Sequence, residues 1–325
     1  MNELAWTSAG RAANWLRALL DPELGVMKGG SDLRAYYKTA AAFQANGMVR
    51  EAEAVLRCIE RDFLKPDGDL NGAGVPWYSI YRTYPHAWIC CAAMQQGRFG
   101  LAYRLRDFIE TFHNPYSGGF YAGEARDVEE VMTTSMAGLA CLWSGKLETA
   151  LAAGGWLKAL WDAQPDVQKG LYTSWKNGAL VTAYEESEAG GAFVDASKPR
   201  QYYFQYGISA ALLVSLYGAT ADREWLELAQ KFLHASRYCG SDRYATPQSG
   251  KVGWGAAWVS RVSADPAVAI LSAEVSKGLC ALQNGDGSWL ATGVYGGDAA
   301  EADSVTIDVT AEFATLQAWM ALAAR

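Results

Sequence analysis

Hydrophobic positions fall along this chain in two alternating patterns. In the first, apolar residues form one stripe at helical spacing and charges occupy the rest of the surface. Met48–Leu64 shows it: Ala52, Val55, Leu56, Ile59 and Phe63 share a face, while Arg50, Glu51, Arg57, Glu60 and Arg61 lie elsewhere. Asn14–Leu20, Leu101–Phe112, Thr149–Trp161, Arg223–Ser236 and Val268–Leu282 belong to the same kind. In the second pattern the segment is apolar nearly all round, as in Trp88–Met94, Met136–Trp143, Ile208–Tyr217 and Phe313–Ala324, with Tyr37–Phe43 and Gly253–Val259 as weaker cases. A helix apolar on every side must be enclosed by protein.

Glycines punctuate this alternation. Gly47, Gly97, Gly145 and Gly218 follow all-apolar segments, where a helix-ending glycine is expected, and a charged segment begins within a few residues. The charged segments run into turns at Pro22–Gly25, Pro66–Gly68, Pro115–Gly119, Pro165–Gly170, Pro247–Gly250 and Gly285–Gly287. The spacing, roughly 45–70 residues, predicts about six helix pairs. An open solenoid would bury only a seam between neighbours. Enclosing one whole helix of every pair requires two concentric rings, so the pattern predicts an all-α (α/α)6 toroid over residues 1–325 as one domain. The longest insertion, Leu171–Arg200, carries Glu185, Glu186 and Glu188 beside Gly190 and Gly191. It reads as a solvated loop, with a lid over the cavity as the functional alternative.

Composition narrows the function classes. Of 325 residues half are hydrophobic, and the net charge is −7 with scattered lysines and arginines, which argues against nucleic acid and anionic membranes as partners. No apolar run reaches the ~20 residues of a membrane span. Arg11 and Arg17 interrupt the first segment, unlike a signal peptide, so a cytoplasmic location is expected. Six cysteines fall mostly in apolar segments without a C-x-x-C pair, and histidines are unpaired, so no metal site and no cofactor are expected. Phosphate-loop, dinucleotide and G-x-S-x-G motifs are absent, as is the D-D-x-x-D pattern of diphosphate ionisation.

In a toroid, the loops entering the inner helices converge on one end of the central cavity. Those segments (29–38, 78–88, 124–135, 197–207, 246–255 and 303–313) are rich in Tyr, Trp and acids. Asp308 and Glu312 lie one helical turn apart and share a face. In an apolar cavity both cannot ionise cheaply, which makes one a candidate general acid. The plainer reading is a helix-terminal charge with a partner such as Arg82 or Lys251. His86, after Pro85, is the candidate partner base, against a reading as a core histidine. Tyr36, Tyr37, Arg82, Tyr84, Tyr202, Tyr203 and Trp254 are candidate substrate-binding residues, where rings stabilise positive charge or stack on sugars. Core packing competes with that assignment for the rings.

Two motifs in the last stretch carry a resemblance. Gln283, Gly287 and Trp289 form Q-x-x-x-G-x-W, in which Gly285 and Gly287 are expected to turn the chain at positive φ and Trp289 to fold back on the preceding helix. This turn resembles the QW motif of the squalene–hopene and oxidosqualene cyclases. Thr306–Ala311, TIDVTA, is similar to their D-x-D-D-T-A motif at Asp308, Thr310 and Ala311, and departs from it at Thr306 and Val309, where the family has Asp. The resemblance implies a toroid and places Asp308 at the family's proton-donating position.

These readings converge on a cofactor-independent acid–base enzyme acting on a small, apolar substrate such as an isoprenoid or other natural product: a cyclase, isomerase or hydro-lyase. Two alternatives stand beside it. One is a carbohydrate-active enzyme, either a polysaccharide lyase or a glycoside hydrolase. The other is a non-catalytic helical-repeat scaffold.

Overall fold

The computed structural model describes residues 2–185, 189–244, 246–290 and 303–323. Its helices are α1 (Asn2–Leu19), α2 (Thr39–Ala45), α3 (Val49–Cys58), α4 (Tyr84–Gln95), α5 (Phe99–Glu110), α6 (Val131–Trp143), α7 (Leu147–Asp162), α8 (Phe204–Thr220), α9 (Arg223–Ala235), α10 (Gly250–Ser260), α11 (Pro266–Leu282) and α12 (Asp303–Ala323). The even-numbered helices form a closed inner ring: α2 packs on α4, α4 on α6, α6 on α8, α8 on α10, α10 on α12 and α12 on α2. Each carries an outer partner: α3 on α2, α5 on α4, α7 on α6, α9 on α8, α11 on α10 and α1 on α12. The fold is an all-α toroid, and the two sequence patterns are its two rings. In α3, Ala52, Val55 and Leu56 are buried and Arg50 and Arg57 exposed; in α6, every residue from Val131 to Cys141 is buried.

Gly47, Gly97 and Gly145 end their helices at φ of 74°, 76° and 88°. Gly218 does not, because α8 continues to Thr220 and Ala221 adopts the left-handed conformation at φ 58°. Asp222 then caps α9 by accepting the Glu224 amide, so a polar N-cap sets this boundary in place of a glycine.

The outer helices end in tight turns closed by small bridges, such as Leu20 with Met27, Leu64 with Leu70 and His113 with Phe120. In the turn after α11, Trp289 folds back so that its indole N–H donates to the Leu279 carbonyl (2.9 Å), and the Gln283 amide donates to the Gly287 carbonyl (2.8 Å). Gly287 has φ 102°, and a Cβ there would stand 2.7 Å from the Arg11 carbonyl oxygen. Gly285 is not in the left-handed region, so only one of the two glycines is required by conformation. Thr310 then takes the Trp289 amide (3.1 Å), as Thr134 takes that of Phe120 (3.0 Å), locking each turn to its inner helix.

The described part of the insertion after α7 is built from short paired strands. Strands β1 (Glu129–Glu130), β3 (Ser174–Lys176) and β4 (Ala179–Leu180) form one antiparallel sheet, and β2 (Gly170–Tyr172) pairs with β5 (Phe193–Asp195) in another. Leu171 and Val194 are fully buried. Glu185 is described; Glu186 and Glu188 lie outside the described residues. No helix among the described residues is long and apolar enough to cross a membrane.

Two features position the cavity. Trp88 of α4 and Trp254 of α10 meet across the ring at 6.3 Å, and Trp258 and Trp319 join them. Since α4 and α10 are opposite members of the ring, these indoles plug its axis. On the wall, α8 and α10 cross backbone to backbone at Gly207 and Gly255, where a methyl on Gly207 would overlap the Lys251 carbonyl. Gly207→Ala is therefore expected to destabilise the protein by about 1–3 kcal/mol, read as a lower thermal midpoint; an unchanged midpoint would show that the crossing can relax.

Candidate active site

The inner helices run in parallel, so their N-terminal ends gather at the mouth of the ring. A pocket of about 280 Å³ lies there. Its aromatic wall includes Tyr37, Trp77, Tyr81, Tyr84, Tyr202 and Phe204, and Lys38, Lys251 and Glu312 also line it. Tyr37, Trp77 and Tyr84 stand edge to face with one another at 5.9–6.3 Å.

Beside this wall is a chain of four charges. Asp308 and Glu312 both face Lys38: its ammonium lies 2.9 Å from Asp308 Oδ1 and also donates to Glu312 Oε2. Glu312 Oε1 takes a second ammonium, that of Lys251. The Tyr37 hydroxyl donates to Asp308 Oδ2 (3.2 Å). Asp308, Lys38 and Lys251 are 3%, 3% and 5% exposed, so none of these charges is a solvated surface group. Glu312 is on the pocket wall. Asp308 lies behind it and reaches the pocket through Lys38 and Tyr37.

The two carboxyls shift in opposite directions. Burial pushes Asp308 above the ordinary aspartate value, against the pull of Lys38 and the Tyr37 hydroxyl. Glu312 is also desolvated, but Lys251 and Lys38 together hold it down to about 2. Burial opposes the charge on Lys38 as well, yet Asp308 and Glu312 raise it well above the usual lysine value. The folded-state value of Glu312 lies below its ordinary 4.5, so it contributes stability that is present above about pH 4.5 and lost as pH falls toward 2. The full contribution is about 3 kcal/mol. Asp308, raised, acts with the opposite sign. The unfolding free-energy difference between wild type and Glu312→Gln is therefore expected to shrink between about pH 5 and about pH 3; a constant difference in denaturant titrations would contradict the ion-pair account.

The predicted site residues divide sharply. Asp308 and Glu312 come together, and Tyr37, Tyr84 and Tyr202 line the pocket. His86 does not join them. Tyr84 and Trp88 occupy the axial side of α4, and His86, two residues from either, lies about 200° around the helix from each. It is sandwiched by Phe108 at 4.4 Å and Tyr78 at 6.2 Å, between α4 and α5. Its Nδ1 faces the Arg82 carbonyl at 3.0 Å, so Nδ1 carries the hydrogen, and Nε2 lies 3.5 Å from Asp69. Burial lowers its pKa despite that carboxylate. Arg82 bridges Asp69 (2.7 Å) and Glu124 (2.8 Å). Tyr36 packs on Phe63, and its hydroxyl accepts the Met27 amide. Tyr203 donates to Asp242 (2.9 Å), and Trp254 belongs to the plug. None of these five lines the pocket. Glu130 is spent on capping α6, taking the Met132 and Thr133 amides, and on Gln205.

Lys38, Trp77 and Phe204 were not candidates. A signal for Lys38 exists: it is the one charge in YYKTAAAF, as Lys251 is in KVGWGAAWV. A lone lysine at the mouth of an all-apolar helix has no solvated face to occupy.

No family model matches this chain, and no curated protein matches it in sequence. Solved structures do match in fold. An inactive variant of an α-1,6-mannanase from Salegentibacter sp. HEL1_6, in complex with α-1,6-mannotetrose, has a TM-score of 0.68 at 12% identity, covering 98% of this chain and 99% of that one. A D-mannose isomerase gives 0.65 at 11%, over 94% and 97%. A type II terpene cyclase from Scytonema, in complex with its product merosterolic acid A, gives 0.57 at 12%, over 99% and 98%. At such identities the likeness shows the toroid alone.

Proposed function

We propose that this protein is a cofactor-independent acid–base enzyme whose reaction takes place in the pocket at the mouth of the inner ring. The observation that carries this reading is the shared lysine: Asp308 and Glu312 both meet the buried Lys38 ammonium, and burial raises the one carboxyl while Lys251 and Lys38 lower the other. Environments that push two titratable groups apart in this way assign an acid and a base. Asp308 is the proton reservoir, in contact with the pocket through the Tyr37 hydroxyl. Glu312, ionised on the wall, is the acceptor. Lys38 keeps both in register and balances their charge as the proton moves.

The wall favours a compact substrate with an apolar body, and its rings stabilise positive charge developing on that body. Cyclisation, isomerisation or loss of water fits these groups, since each needs one proton delivered and one removed. The cyclase likeness in fold and the partial acidic motif around Asp308 support the same reading. The test is product analysis by mass spectrometry after incubation with isoprenoid and aromatic natural-product acids and alcohols. A rearranged or dehydrated product from any of them supports the proposal. Turnover of oligosaccharides alone would replace it.

That outcome belongs to a second reading, a carbohydrate-active enzyme, favoured by one specific observation: the fold likeness is higher to the mannanase than to the terpene cyclase. Rings such as Trp77 and Tyr202 are suited to stacking on sugars. A scaffold without chemistry is disfavoured, because it gives no reason to bury one carboxyl and two lysines beside a pocket whose wall carries another carboxyl.

A further inference from the structure

Buried ammonium groups normally have their donors satisfied. Lys38 has two charged acceptors, a carboxylate oxygen of Asp308 and one of Glu312. Lys251 differs. It rises from the first turn of α10 into the same pocket and is 5% exposed. Among the described residues its ammonium meets one acceptor, a Glu312 oxygen, and an ammonium has three N–H donors. The remaining surroundings are ring faces, Phe204 at 5.2 Å and Tyr84 at 5.9 Å, which attract a cation but accept no conventional hydrogen bond. Leaving donors of a buried charge unmade is expensive.

The pocket already displays what fills such a position. Glu312 is a carboxylate held between two ammoniums, one on each oxygen. The geometry also leaves room for a second anion: among the described residues Lys251 meets only Glu312, a carboxylate that it shares with Lys38, while Asp308 is paired to Lys38 alone. Converging helix N-termini add positive potential at this end of the ring.

We infer that Lys251 is an anion receptor and that the substrate carries a carboxylate on its apolar or aromatic body, bound at the Lys251 ammonium beside Phe204. This deepens the acid–base reading and rests on the same pocket. The carboxylate would anchor one end of the substrate near Glu312, with the body against Tyr84 and Trp77.

The experiment is equilibrium binding by isothermal titration calorimetry on the full chain, using hydrocinnamate and its neutral amide as probes of equal shape. The acid is expected to bind wild type about tenfold more tightly than the amide, a margin typical of one good charge-assisted contact. The preference should vanish in Lys251→Gln and survive in Lys251→Arg. Equal binding of acid and amide, a preference that persists in Lys251→Gln, or binding of neither probe would each overturn the inference. The wild-type comparison stands even if a variant fails to fold. Equal binding of both probes removes the anion site while leaving Asp308 chemistry to its own test.

Discussion

Replacing Asp308 with Asn is expected to lower turnover by about 10²–10⁴-fold, the usual contribution of one positioned proton-transfer group, while the protein stays folded. The asparagine keeps the shape, and its carbonyl can still accept the Tyr37 hydroxyl that now bonds to Oδ2. What it lacks is a proton to give. Fold retention is expected because the aspartate is a reluctant anion: burial already disfavours its charge, and Lys38 keeps Glu312 as a partner. The measurement is the turnover rate on any substrate converted by wild type, together with a thermal melt of both proteins. A melted variant would say only that the carboxylate is structural. A folded variant with wild-type turnover would remove Asp308 from the chemistry.

The largest stability effect belongs to Lys38. Its ammonium stands between two carboxylates from α12 while its backbone starts α2, so it is a charged pin across the closure of the ring. Lys38→Met leaves Asp308 buried beside no cation, so it must take up a proton or remain an unpaired charge, at a cost of up to about 3–5 kcal/mol. Glu312 retains Lys251 and loses less. Most of the cost is therefore assigned to Asp308, which makes a sharper expectation: adding Asp308→Asn to Lys38→Met should recover a large part of the loss. Denaturant unfolding of the two single variants and the double variant measures that coupling. Additive losses would mean that Lys38 stabilises the closure by packing its stem and not by charge.

The fold was legible because burial on all sides is a strong constraint. A helix such as MAGLACLW has no face for solvent, and six such segments alternating with striped ones leave few architectures. The end of the ring that carries the site was legible for the same reason, since parallel inner helices bring their first turns together. What the pattern did not resolve was phase. Tyr36 and Tyr37 are adjacent, as are Tyr202 and Tyr203, and in each pair one ring lines the pocket and the other packs away from it. His86 failed on the same ground, although Tyr84 and Trp88, as the axial side of α4, already placed it on the opposite face. Lys38 is not legible from its residue type, since a lysine is solvated by default. Its setting among Tyr, Ala and Phe was the contrary signal. The C-terminal glycine rule failed at Gly218 because a capping aspartate three residues beyond Ala219 allowed α8 another turn.

The most direct test of the split between the two carboxyls is their own titration, followed by isotope-edited NMR of the side-chain carboxyl carbons and assigned with Asp308→Asn and Glu312→Gln. The account predicts that Asp308 takes up its proton above the ordinary aspartate value of 3.8, while Glu312 stays ionised well below 4.5. Both carbons titrating together near their ordinary values would contradict it.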